Sequence, residues 1–179
     1  MNAKGFTLIE MLAVVAIVGI LAGLFIPQIQ LAIQKAHQKG TMKDMNSLAT
    51  ALTDYAADRN DLPAQSGPLS GGSAFLSAIG GFYLKAIPIN DQWGTPLQVY
   101  CGTAVSASGI GGLTDTDKEG YLLRSFGRDK AATDFDYNPA DPSSTFFPIA
   151  SLVDFNEDLV SWNGSWIHVP NTAMMGAGT

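Results

Sequence analysis

The carboxylate of Glu10 immediately precedes a long, mostly apolar segment of the chain. The next twenty-four residues, 11–34, carry no formal charge. A carboxylate at the centre of such a helix costs about 2.5–3.5 kcal/mol in a membrane, so it needs a cation or a position near the headgroups. Cutting the Gly5–Phe6 bond would create an α-amine at the start of the helix. We therefore predict that Glu10 pairs with that amine, within one chain or between neighbours. The alternative is a headgroup-level acid that favours the helix N-terminus.

Two acidic clusters in the second half of the chain can be compared with calcium-binding loops, whose ligands are carboxylate, carbonyl and amide oxygens. Residues 115–120 resemble the first half of an EF-hand loop, but Phe126 stands where a bidentate glutamate is required. A hairpin turn is the better prediction there. A second cluster combines residues 123–129 with residues 156–159, and a solvated acidic loop is its alternative.

Residues typical of enzyme active sites are sparse. His37 and His168 are far apart in the sequence, and Cys101 is the only cysteine. Neither a zinc-ligand spacing nor a nucleophile motif is present, and an intrachain disulfide is excluded. We predict a chain that is not an enzyme; a membrane-anchored enzyme is the disfavoured alternative.

The element that carries Glu10 is predicted to be one long helix from Phe6 to about Arg59. Its first half has the length and composition of a membrane span, whereas a cleaved secretory signal would have a shorter apolar core. Its second half has an apolar stripe at steps of three and four residues. Pro27 follows two glycines, which predicts bending or local melting around residues 19–27.

A small head is predicted after the helix. Pro63 ends the helix, residues 66–73 are a loop, and a short helix lies within residues 72–80. Strands are expected at 97–101 and 121–127, with a weaker third strand at 165–170. Residues 41–179 have seven basic and fifteen acidic side chains. Because phosphate binding needs clustered lysine and arginine, we expect no nucleic-acid partner.

The segment from Lys4 to Glu10 resembles the class III signal of type IV pilins and type II secretion pseudopilins. The resemblance implies cleavage after Gly5 by a prepilin peptidase and N-methylation of Phe6. It also places the family's assembly glutamate at Glu10 and its helix-breaking proline at Pro27. The implied architecture is the α+β pilin fold, in which a long N-terminal helix packs against a small antiparallel sheet. Its parts are the leader 1–5, a membrane and filament-core helix 6–30, an amphipathic continuation 31–60 and a globular head 61–179.

The region from Tyr83 to Pro96 is similar to that of the major pseudopilin of type II secretion. It implies a structural subunit of a homo-oligomeric filament that drives protein export, with an inner-membrane assembly platform and minor pseudopilins as partners. The subunit would be a single-pass inner-membrane protein with a periplasmic head before assembly, and part of a periplasmic or extracellular filament afterwards. The alternatives are a type IV pilus subunit for adhesion, motility or DNA uptake, and a minor subunit at the filament tip.

The same resemblance implies a structural calcium ion in the C-terminal loops. The implied ligands are the side chains of Ser125, Asp129, Asn156 and Asp158 and the backbone carbonyl of Leu123. This chain departs from the family pattern by inserting residues 130–155 between the two halves of the site. Asp134 and Asp136 in that insertion are alternative ligands.

Overall fold

A computed structural model describes residues 5–113 and 117–171. Its first element is α1, Leu8–Arg59, a continuous helix of 52 residues and therefore about 78 Å long at 1.5 Å per residue. Thr7 caps its N-terminus, and Asn60 ends it in the left-handed conformation with φ 52°. The long helix predicted from Phe6 to Arg59 is confirmed to within two residues.

The first half of α1 stands clear of the head. Every residue from 5 to 30 is exposed, and α1 is the one described helix long and apolar enough to cross a membrane. The helix runs through Pro27 without a break. The prediction of local melting around residues 19–27 is therefore wrong for this structure, because the turns on either side of Pro27 keep the helix continuous.

The head contains one antiparallel sheet of five strands in the order β1-β2-β3-β4-β5. The strands are β1 Ser66–Pro68, β2 Gln98–Cys101, β3 Tyr121–Ser125, β4 Leu159–Trp162 and β5 Ser165–His168. A short helix, α2, covers Ala74–Ile79, and 3₁₀-helices cover Gly102–Ser108, Pro142–Thr145 and Val153–Asn156. The α+β pilin-like architecture is confirmed.

Two details of the predicted head need correction. Residues 66–68 are not loop but strand β1, because their backbone pairs with Gln98, Val99 and Tyr100 of β2. Strand β4 was not predicted at all, although it pairs with both β3 and β5. The predicted strands in 97–101, 121–127 and 165–170 and the helix within 72–80 are present. The turn predicted at 115–120 lies partly outside the described residues.

Both faces of the sheet are covered. One face packs against α1 in a core that includes Met45, Leu48 and Leu123. The opposite face holds a second core with Leu122 and Val160. Since neighbouring residues of a strand point to opposite faces, β3 sends Leu123 and Ser125 towards α1 and sends Leu122 and Arg124 to the second core. This alternation determines which side chains can meet in the candidate sites.

Candidate functional site

The side chain of Glu10 folds back over the first turn of α1. Its Oε2 accepts hydrogen bonds from the Thr7 backbone N–H at 2.8 Å and the Thr7 hydroxyl at 2.9 Å. The Glu10 N–H donates to the Thr7 hydroxyl at 3.4 Å, which completes a capping box. Phe6 precedes Thr7 directly, so cleavage at Gly5–Phe6 would place the new amine one residue from a group that Glu10 already contacts.

The predicted cleavage position is accessible in this structure. Gly5 and Phe6 are both exposed and lie outside the helix, and 77% of the Phe6 surface is open to solvent. Exposed backbone outside regular structure is where peptidases cut most readily, and the Gly5–Phe6 bond lies in such a segment. Processing at Gly5 and methylation at Phe6 stay predictions.

The head is fixed to α1 by the tight turn that follows Asn90. The Trp93 indole N–H donates to the Gln34 amide oxygen at 2.8 Å. The Gln92 backbone N–H donates to the Thr41 hydroxyl at 3.1 Å, and its side-chain amide donates to Asp44 at 2.8 Å. These bonds tie the head to a stretch of about three turns of the helix, from Gln34 to Asp44.

Asp91 connects that turn to the sheet. Its Oδ1 accepts from the backbone N–H groups of Trp93 at 3.0 Å and Thr95 at 2.8 Å. Its Oδ2 accepts from the Ser125 hydroxyl at 2.7 Å. Only 5% of Asp91 is exposed. Sequence reasoning gave this aspartate no role, although an aspartate just before a glycine turn is a known capping signal.

The predicted calcium ligands are divided between the two faces of the sheet. Ser125 points towards α1 and bonds Asp91, and Leu123 packs in the core on that side. Asp158 instead pairs with Arg124, at 2.5 Å between Oδ2 and Nε, on the opposite face. The side chains of Ser125 and Asp158 therefore do not converge.

The remaining predicted ligands have other partners. Asp129 accepts from the Ala131 N–H at 3.1 Å, and Asn156 accepts from the Arg128 guanidinium at 3.0 Å. Within 5–113 and 117–171, no three histidine, cysteine or acidic side chains are grouped as a metal site. Calcium binding by this chain stays a prediction.

The loop that would carry the site is nonetheless tightly held. Gly127 has φ 70°, and a Cβ built on it would lie 2.8 Å from the carbonyl oxygens of Phe155 and Glu157. The Arg128 N–H donates to the Phe155 carbonyl at 2.8 Å. The segments at 123–129 and 155–158 are therefore in direct contact despite the insertion between them, as the sequence pattern requires.

Burial shifts the pKa values of several ionisable groups in the head, and three of them bear on the candidate sites. The pKa of Asp158 is raised to about 6 because burial disfavours its charge, against the opposing effect of Arg124. Burial raises the pKa of the Cys101 thiol to about 12. Burial also lowers the pKa of His168, although Glu157 opposes that shift. His168 stacks on Phe135 at 4.3 Å and packs against Phe147 at 5.0 Å, which suits a structural role.

Comparison with known proteins places the N-terminal features in a family. Residues 1–26 match the family model described as the prokaryotic N-terminal methylation motif. With the long apolar helix and the small antiparallel head, this defines a membrane-anchored subunit that assembles into filaments. The chain belongs to the family of type IV pilins and type II secretion pseudopilins, as three similar relatives show.

Two of these relatives are named type II secretion system core protein G. The protein of Pseudomonas aeruginosa is 32% identical over 134 residues, which cover 65% of this chain and 92% of the relative. That of Aeromonas hydrophila is 34% identical over 103 residues, 54% of this chain and 71% of the relative. The type IV major fimbrial protein FimA of Dichelobacter nodosus is 31% identical over 134 residues, 72% of this chain and 74% of the relative. No solved structure matches the chain significantly.

Proposed function

We propose that this chain is the major pseudopilin of a type II secretion system, a filament subunit that helps to move folded proteins across the outer membrane. The observation that carries the proposal is the match to core protein G of Pseudomonas aeruginosa over 92% of that relative's length. That match extends beyond the N-terminal motif into the head. The relatives so named are structural subunits, which agrees with a role outside catalysis.

The long helix serves both stages of the proposed function, first as a membrane anchor and then as a filament-core helix. Before assembly, the exposed apolar residues 8–30 cross the inner membrane once, and the head lies in the periplasm. The prepilin peptidase removes the leader 1–5 and methylates Phe6. The helix then leaves the bilayer with help from the assembly platform and packs beside the helices of neighbouring subunits.

Glu10 provides the polar contact in that packing. Its carboxylate faces the N-terminal end of its own helix, 2.8 Å from the Thr7 N–H. A neighbouring amine that approaches this end meets a carboxylate that is already oriented. The ion pair is stronger in an apolar filament core than in water, because little solvent screens it. Glu10 thereby sets the register of one subunit against the next.

The head transmits that register to the filament surface. Trp93 and Gln92 hold it to α1 through hydrogen bonds to Gln34 and Thr41. Because the contacts span several turns, a displacement of the helix moves the head with it. Minor pseudopilins at the tip and secreted cargo would contact this surface.

A type IV pilus subunit is the second candidate function, because FimA is similar over 74% of its length. Many pilins of that class close the C-terminal region with a disulfide, whereas Cys101 is this chain's only cysteine. Pili would appear as long surface fibres that support adhesion or twitching motility.

Complementation tests the proposal. The full chain is expressed in a bacterium that lacks its own core protein G, and export of a secreted hydrolase into the medium is measured. Restored export supports a pseudopilin. The same strain with the Glu10→Val variant is the control, since we expect that variant to be inserted and cleaved but to assemble poorly. Wild-type chain that forms long surface pili without restoring export would overturn the pseudopilin assignment in favour of a pilus subunit.

A further inference from the structure

Arg124 is a buried cation in the region where the family pattern implies a metal ion. Its side chain is 5% exposed, and its Nε lies 2.5 Å from Oδ2 of Asp158, a side chain with no exposed surface. Isolated buried charges are strongly unfavourable, so such an arginine is kept only where its partners satisfy it. The contacts of Arg124 therefore show what it holds together.

The guanidinium of Arg124 binds oxygens from three separate segments. Besides Asp158, which precedes β4, it donates to the Ser108 carbonyl at 3.1 Å and to the Thr133 carbonyl at 2.7 Å. The Cζ atom of Arg124 lies 5.2 Å from the centre of the Phe126 ring. A carboxylate and two backbone carbonyls are the kinds of oxygen that a calcium ion would gather.

We propose that the Arg124 guanidinium replaces a structural calcium ion in this head and makes its fold independent of the metal. Arg124 links β3 to the 3₁₀-helix before Gly109, to the start of the insertion and to the residue before β4. An arginine can do this because its planar fork makes several directed hydrogen bonds at once.

The arrangement around Asp158 disfavours a second cation. A calcium ion bound to this carboxylate would lie beside a guanidinium already bound to it, and like charges at that separation repel strongly in a buried site. Ser125, the hydroxyl ligand implied by the family pattern, is on the other face and bonds Asp91. The backbone and side chain of Thr133 also hydrogen-bond the Asp158 carboxylate and act to lower its pKa, so this group has partners within the chain besides Arg124.

Arg124 also attaches the insertion, residues 130–155, to the sheet. Thr133 lies three residues after Lys130, which has φ 63°, and its carbonyl is bound by a side chain that projects from the middle of the sheet. The insertion is thus anchored at its beginning by Arg124 and near its end by the contact of Phe155 with Arg128. This conclusion holds for a secretion pseudopilin and for a pilus subunit alike.

The decisive measurement uses the unaltered full chain in detergent micelles. Tryptophan fluorescence follows thermal unfolding of the head, with the protein in chelator and then in millimolar calcium chloride. We expect the same midpoint in both conditions. A midpoint that rises with calcium would overturn the proposal, because a ligand that binds only the native state stabilises it by mass action.

A double-mutant cycle tests the role of Arg124 itself. Arg124→Gln should lower the midpoint markedly, and Asp158→Asn should cost much less in that background than in the wild type. Additive effects of the two changes would overturn the proposal.

A second variant covers the case in which Arg124→Gln does not fold. Arg124→Met combined with Asp158→Leu replaces both charges with apolar groups and should restore folding. A double variant that also fails to fold would overturn the proposal. The control is Lys85→Gln, which removes an exposed positive charge of the head and should leave the midpoint unchanged.

Discussion

The Ser125 hydroxyl donates a 2.7 Å hydrogen bond to Oδ2 of Asp91, which lies thirty-four positions earlier in the chain. Ser125 ends β3, and Asp91 begins the turn that holds the head to α1. The bond therefore joins the sheet to the helix-binding turn. It also uses a hydroxyl that the family pattern assigns to a metal.

The link predicts that Asp91→Ala destabilises the head strongly. Alanine leaves the buried Ser125 hydroxyl and the half-buried N–H groups of Trp93 and Thr95 without their acceptor, and an unsatisfied buried donor costs about 1–3 kcal/mol. We expect a loss of about 3 kcal/mol in the free energy of unfolding, measured by urea denaturation with tryptophan fluorescence. Asp91→Asn keeps one acceptor oxygen and should lose clearly less. Equal losses for the two variants would argue against this role.

Glu10→Val should separate membrane insertion from assembly. Valine removes the carboxylate but improves the apolar character of the helix, so the variant should be inserted and cleaved yet form few filaments. Mass spectrometry of the N-terminus reports cleavage, and sedimentation of sheared fibres reports assembly. Thr7→Ala is the matched control, since it weakens the helix cap and leaves the carboxylate. Normal filaments from Glu10→Val would contradict the pairing hypothesis, and equal defects in both variants would assign the effect to capping.

Gly127→Ala should destabilise the loop for two separable reasons. A left-handed conformation costs a non-glycine residue about 1–2 kcal/mol, and the new methyl group would press on the Phe155 and Glu157 carbonyls. Gly81→Ala is the control: its φ is 87°, but nothing lies within 4 Å of the added Cβ. Urea unfolding should show the larger loss for Gly127→Ala. Similar losses would mean that the loop shifts to accommodate the added methyl group at little cost in free energy.

The Cys101 thiol should be unreactive in the folded head. It is buried, and its pKa of about 12 leaves almost no thiolate near neutral pH. We expect negligible labelling by a thiol-specific disulfide reagent under native conditions and complete labelling in denaturant. Rapid labelling of the native chain would show that β2 opens readily.

His168 should make head stability fall as the solution becomes acidic. Its pKa in the folded chain is below the ordinary value because burial disfavours the imidazolium, so the unfolded chain binds the proton more readily. The stabilisation is complete above the unfolded pKa of about 6.5 and is lost as the pH falls below it.

Neighbouring charges make the comparison with a variant necessary. Glu157 and Arg124 face His168, and the raised pKa of Asp158 gives stability the opposite pH dependence below about 6. The quantity to measure is therefore the difference in unfolding free energy between the wild type and His168→Gln. We expect the wild type's relative stability to decline on acidification. A difference that does not change with pH would contradict this prediction.

The sequence predicts elements whose signals are local. A long uncharged run, an apolar stripe at steps of three and four residues and Pro63 predict the bounds of α1 to within two residues. Strand β4 is hard to predict because it has only four residues. It also directly follows the acidic pair Glu157 and Asp158, and such a pair resembles part of a metal-binding loop. Its pairing with β3 becomes visible only when the chain between them is folded.

The candidate sites also combine features that local sequence predicts with contacts that depend on the folded chain. The sequence placed Glu10 next to the bond to be cut, since both lie within a few residues. It did not show that Arg124 reaches Asp158, because this depends on strand register and on the face to which each side chain points. Asp91 was recognisable as a turn residue, but its bond to Ser125 was not.

The exposed first half of α1 has a consequence for how the filament grows. In the proposed function, its side chains contact lipid before assembly and other helices afterwards, and both surroundings are apolar. Transfer between them releases little hydrophobic free energy, as for membrane helices that associate in a bilayer. Growth and retraction are then nearly balanced, so that a modest mechanical push from the membrane machinery, or its withdrawal, decides whether subunits enter the fibre or return to the lipid pool.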